Sequence, residues 1–165
     1  MMITTRIEVP EVLAQYARGK YHDDEAGAVR FPDSSDIYVL LYDLLSLRPE
    51  NAKPVDAGNL TIALPDRRDG RAGGGKDPRR YNWLSGRASK VLADRLRVLM
   101  WAELHAFLDE QKHLRGINYI DSICIFRHRY GIEALSEEAM FKHYQRWKCR
   151  ERRSAKRGYR FKARS

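Results

Sequence analysis

Apolar and polar positions alternate along this chain mostly at helical spacing, with one short interruption at strand spacing. "EVPEVLAQYARGKY" carries Pro10 where a first helical turn accepts it and Gly19 where a helix can stop, so a short helix is expected from about Glu11 to Arg18. "SSDIYVLLYDLLSLRP" offers Ser34 or Ser35 as an N-cap and Asp36 at the positive helix end, with Pro49 beyond the stop. Tyr38, Leu41, Tyr42, Leu45 and their neighbours make that helix apolar almost all round, which predicts burial. "NLTIALP", Asn59 to Pro65, is short, partly β-branched and bounded by Gly58 and Pro65; it predicts a strand, with Gly27 to Pro32 as its candidate partner in a small ribbon.

The longest pattern begins at Asp77-Pro78, read as a cap and first turn, and continues to about His113. Leu84, Ala88, Val91, Leu92, Leu99, Ala102 and Ala106 fall in one stripe at 100° per residue, and Leu99 to Leu108 is apolar on most sides. Arg87, Asp94 and Arg95 interrupt any coiled-coil seam. A further helix precedes Gly131, and Ser136, followed by Glu137 and Glu138, starts the last one. The expected fold is mainly α. It is a bundle of four to five helices with a small β-ribbon, a C-terminal helix-turn-helix-like pair and a basic tail. The expected divisions are a body over 1–115, the helix pair over 116–150 and a disordered arm over 151–165.

Charge sharpens this picture. The chain has 165 residues and a formal net charge of +9. From Lys142 to Ser165 there are eleven Lys and Arg and one acid, Glu151, so this segment carries +10 and the rest −1. An asymmetry of this kind points to a polyanion partner, nucleic acid above all. No apolar run reaches bilayer length and the N-terminus lacks a secretory apolar stretch, which predicts a cytoplasmic protein without a membrane partner. The two cysteines, Cys124 and Cys149, fall in separate predicted helices and read as reduced thiols.

Three enzymatic motifs fail on chemistry. Gly70, Gly75 and Lys76 in "DGRAGGGKD" fit most of a phosphate loop. Asp77, however, replaces the magnesium-binding hydroxyl with a carboxylate, and no strand runs directly into the loop. The loop at 69–77 therefore reads as a surface connection. His105, Asp109 and His113 recur at four-residue spacing, with Glu110 and His113 forming E-x-x-H, but His105 and His113 stand about 12 Å apart along a helix, too far for one ion. Asp66-Arg67-Arg68-Asp69, like the neighbourhood of Tyr81, has no spacing diagnostic of a nuclease. No catalytic residue, cofactor or metal is assigned, and no enzyme is expected.

The last two helices carry the functional signal. Tyr130-Gly131-Ile132 followed by a capped helix is similar to a helix-turn-helix, with two departures: Glu133–Leu135 is extra, and Arg127 stands where a small residue is usual. Ala139, Met140, Tyr144 and Trp147 are expected inward; Lys142, Arg146, Arg150 and Arg153 form an outer row beside His143. The candidate nucleic-acid contacts are Lys142, His143, Arg146, Lys148, Arg150, Arg152, Arg153, Lys156, Arg157 and Arg160. Tyr159 and Phe161 in the arm are available to stack on bases.

The stretches "GNLTIALPDRR", "KDPRRYNWLSGRA", "MWAELHAFLDE" and "YGIEALSEEAMFKHYQRWK" resemble small uncharacterised helix-turn-helix-like proteins of bacterial prophages and transposable elements. That resemblance implies a DNA-binding accessory or regulatory protein. The alternatives are an RNA-binding component and a phage structural protein whose tail docks an acidic partner. Homodimerisation through the long apolar helix is expected, because one such module buries little surface on DNA.

Overall fold

The computed structural model describes residues 2–52, 57–65 and 76–162, with side chains as far as 158. Along it run β1 (Thr4–Ile7), α1 (Glu11–Tyr21), β2 (His22–Asp23), β3 (Ala28–Val29), α2 (Asp36–Leu44), β4 (Leu60–Ala63), α3 (Gly86–Arg115), α4 (Tyr119–Tyr130) and α5 (Glu137–Lys162). The protein is mostly helical, with a small four-stranded sheet in the order β1-β4-β3-β2.

The expected partner of "NLTIALP" is present: β3 pairs parallel with β4 through Val29 and Ile62. The ribbon is nevertheless a sheet, because β1 also pairs antiparallel with β4, from Thr4 opposite Ala63 to Ile7 opposite Leu60. "TTRI" is β-branched at Thr4, Thr5 and Ile7, the strand signal that the sequence carries there. β4 is thus central and buries Leu60, Ile62 and Ala63.

Two helix boundaries differ from expectation. Gly19 does not stop α1 but lies within it, and a Cβ there would sit 2.2 Å from the Tyr130 carbonyl oxygen. Its missing side chain lets α1 cross the end of α4 backbone to backbone. Asp77-Pro78 likewise opens a turn rather than the long helix: Arg80 and Tyr81 amides donate to the Asp77 carbonyl. The helix begins eight residues later, where Ser85 Oγ accepts from the Ala88 amide at 3.0 Å. A short antiparallel bridge from Trp83 to Ser46 occupies the intervening segment.

α3 is the axis of the molecule, about 45 Å long at 1.5 Å per residue. Its buried line is Ala88, Leu92, Leu96, Met100, Leu104 and Leu108, every fourth residue, joined by Ala93, Phe107 and Gln111. A four-residue row drifts about 40° per step around a helix. Of the residues in the fixed stripe, Leu84, Ala88 and Leu92 are therefore buried and Leu99 packs against the core, whereas Val91 is 38% exposed and Ala102 and Ala106 face out. α1, α2 and α4 all pack on α3, so its buried face is not confined to one fixed stripe. α2 is also less enclosed than its composition suggests; Ile37, Tyr38 and Leu41 are buried and Asp43 is exposed.

The core continues through Ile123 and Phe126 of α4, Ile132 of the turn, and Met140 and Tyr144 of α5. The disordered arm expected from residue 151 is instead, through Lys162, a continuation of α5. Among the described residues no helix is long and apolar enough to cross a membrane.

Candidate nucleic-acid interface

α5 starts where Ser136 Oγ accepts from the Ala139 amide, 3.2 Å away, as the capping pattern predicts. The turn before it is held from three sides. Gly131 adopts φ +62°, a left-handed conformation that suits glycine, and closes α4. Ile132 is buried beneath the turn. Arg127, the residue in place of a small one, ties the turn together: its Nε donates to the Ile132 carbonyl at 3.2 Å and its Nη1 to Glu137 at 2.9 Å. The extra residues "EAL" are received by α1, where Gln15 Oε1 accepts from the amides of Glu133 and Ala134, both at 2.8 Å. No sequence signal marks Gln15 for this role.

The stem of α5 is fixed to α3 by aromatic and polar contacts. His143 stacks on Trp101 with ring centroids 3.6 Å apart, and His105 stacks on Trp147 at 4.3 Å. The two imidazoles meet at 3.2 Å, His105 Nε2 against His143 Nδ1. Asp109 accepts from the Tyr144 hydroxyl at 2.5 Å and pairs with Lys148 at 2.9 Å. His143 and Lys148, expected among the phosphate contacts, are therefore engaged with the body. His105 and Asp109 likewise do not converge with His113 on an ion, and among the described residues no group of three or more potential metal ligands occurs.

Burial holds the His105 imidazole down at about 4, with the neighbouring His143 adding to the effect. His143 is lowered by burial first and then by Arg150 and Arg146. A base whose folded pKa lies below its unfolded value near 6.5 disfavours the folded state once it protonates. Stability is complete above about pH 6.5 and falls as pH drops from there toward about 4, a loss of roughly 3 kcal/mol. Urea unfolding between pH 7.5 and 4.5 will show this decline, and His105→Phe will flatten it. An equal decline in His105→Phe would mean that other groups cause it.

The remaining cations lie on the outside. Lys142 makes an i,i+4 pair with Glu138 at 2.7 Å, exposed on both sides. Arg146, Arg150, Arg152, Arg153, Lys156 and Arg157 are all exposed, and no ion pair engages any of them among the described residues. Arg160 lies on the final turn, its side chain beyond those described, as are the side chains of Tyr159 and Phe161. From Cys149 to Gly158 every residue is exposed, so α5 leaves the body after Lys148 and projects for about 20 Å to Lys162.

The glycine-rich segment ends in a contact that bears on its lysine. Lys76 Nζ donates to the carbonyls of Tyr42, Asp43 and Leu45, between 2.7 and 3.0 Å, and so caps the C-terminal end of α2. Its charge is used on α2 carbonyls rather than offered to a phosphate. Gly70 and Gly75 themselves lie outside the described residues, as does Asp66-Arg67-Arg68-Asp69.

No protein-family model, no curated protein and no solved structure matches this chain. The functional reading therefore rests on α5.

Proposed function

We propose that this chain is a DNA-binding accessory or regulatory protein of a phage or mobile element, using α5 mostly on phosphates. The observation that carries the reading is the outer row of Arg146, Arg150, Arg153 and Arg157, exposed and without acidic partners among the described residues. These positions are three or four residues apart, so they stay on one side of a helix and can face a polyanion together. Lys142 extends the row toward the body. The α4–turn–α5 segment supports a helix-turn-helix-like reading, with Gly131 in the turn, Ile132 beneath it and the capped α5 beyond. The mobile-element setting rests on sequence resemblance alone.

Glu137 and Glu138, which would oppose phosphate at the start of α5, are both engaged by cations of the protein, Arg127 and Lys142. Fluorescence anisotropy of labelled duplex DNA tests the proposal with a Lys142→Ala, Arg146→Ala, Arg150→Ala variant. The variant will bind on the order of 30-fold more weakly near physiological salt. Unaltered affinity would remove the proposal.

A further inference from the structure

We infer that the projecting half of α5 lies lengthwise in the major groove of B-form DNA, with Arg150 and Arg157 toward one phosphate strand, Arg152 and Lys156 toward the other, and Arg153 facing base edges between them. This inference rests on the DNA-binding reading and assigns the form of the partner and the residue that reads sequence.

At 100° per residue, and taking buried Met140 as zero, Arg152 and Lys156 fall at about 120° and 160°. Cys149 and Arg153 fall at about 180° and 220°, and Arg157 and Arg150 at about 260° and 280°. All five cations from Arg150 to Arg157 thus occupy an arc of about 160° directed away from the body. The opposite arc holds Ser154, Ala155 and Gly158, with Glu151 at about 20°. The one acid of the segment is on the side turned back toward the core. A tail kept basic only for solubility has no reason to sort its charges in this way; a helix with a polyanion on one side does.

Width and shape then select the partner. A helix with its side chains is about 10–12 Å across and the major groove of B-form DNA about 12 Å wide. The stretch from Cys149 to Gly158 is exposed throughout, and among the described residues nothing of the body covers it. A groove flanked by two phosphate strands matches cations on both margins of the arc, and Arg153 between them has the planar fork that recognises guanine O6 and N7. A-form RNA duplex has a deep, narrow major groove that refuses a helix. Single strands are held by aromatic platforms, and every aromatic of α5 whose side chain is described is used on the body: Phe141 packs toward Tyr119, Tyr144 is buried, and Trp147 stacks on His105, which leaves only Tyr159 and Phe161 for stacking.

The test uses the full chain and three probes at matched salt: a DNA duplex, an RNA duplex of the same sequence, and a randomised DNA duplex library for selection. The DNA duplex will bind at least about tenfold more tightly than the RNA duplex, and selection will enrich guanine at one position. Arg153→Ala and Arg153→Lys will each lose about tenfold of that preference. Arg150→Ala will keep the preference while the slope of log affinity against log salt becomes shallower by about one. Equal affinity for both duplexes, or unchanged preference in Arg153→Ala, would overturn the groove assignment and leave phosphate binding in place. Binding of neither duplex would overturn both readings.

Discussion

Gly19→Ala will lower the stability of the protein by about 3 kcal/mol or more, although alanine is the better helix former by about 1 kcal/mol. The added methyl would lie 2.2 Å from the Tyr130 carbonyl oxygen and 2.6 Å from its Cα, inside any permissible contact. Backbone has no rotamer with which to yield, so α1 and α4 must separate. That separation also disturbs the turn before α5, because Gln15 of α1 receives the Glu133 and Ala134 amides. Gly158→Ala is the matched control. It lies in the projecting part of α5 with nothing within 4 Å, and it will be neutral or stabilising by up to about 1 kcal/mol. Urea midpoints of the two variants measure the contrast. A Gly19→Ala protein as stable as wild type would mean that the α1–α4 crossing is not this close.

The second large effect centres on Glu103. Its carboxylate accepts from the Tyr16 hydroxyl at 2.5 Å, from the Tyr130 hydroxyl, and from Lys20. Burial works to raise this carboxyl, and the donors Lys20, Tyr130 and Tyr16 outweigh it and hold the group below its ordinary range. On the other side of the same bonds, burial first and Glu103 second push the Tyr130 hydroxyl up to about 12. Glu103 thus joins α1, α3 and α4 at one point. Glu103→Ala removes the acceptor from two tyrosines, and Tyr16 is fully buried. A buried hydroxyl left unsatisfied costs about 1–3 kcal/mol, so the variant will lose about 3 kcal/mol in all. Glu103→Gln keeps an acceptor oxygen and will lose about half as much. Equal losses in the two variants would show that charge, not hydrogen bonding, is what the site supplies.

Local chemistry made the helix caps legible. Ser35, Ser136 and Gly131 all occupy the positions their residue types favour. Patterning also located β4 and its neighbour β3. What escaped was set by tertiary contact. Gly19 reads as a stop from sequence alone, and only the passing backbone of α4 explains it. The fixed stripe finds the buried Leu84, Ala88 and Leu92 but not the rest of the α3 face, because a 100° template assumes one flat neighbour whereas the buried row winds with a four-residue step. Asp77-Pro78 has the composition of a helix start, but the Ser46–Trp83 bridge holds the following residues extended and Ser85 takes over the cap.

At the candidate site, the outward basic row followed directly from spacing. The engagement of the candidate contacts His143 and Lys148 with the body did not, because their partners Trp101, His105 and Asp109 lie 35 or more residues away in sequence. The projection of α5 was also hidden: a polyelectrolyte segment with few apolar residues reads as an arm, and its continuation as a helix depends on starting from a stem already fixed to α3.

The salt dependence of duplex binding measures whether the cations of α5 neutralise phosphates. Each phosphate contact contributes about −0.9 to the slope of log affinity against log salt on B-form DNA. The slope of the Lys142→Ala, Arg146→Ala, Arg150→Ala variant will be less negative than that of the wild type by about 2.7. The same slope in both proteins would contradict phosphate neutralisation by these cations.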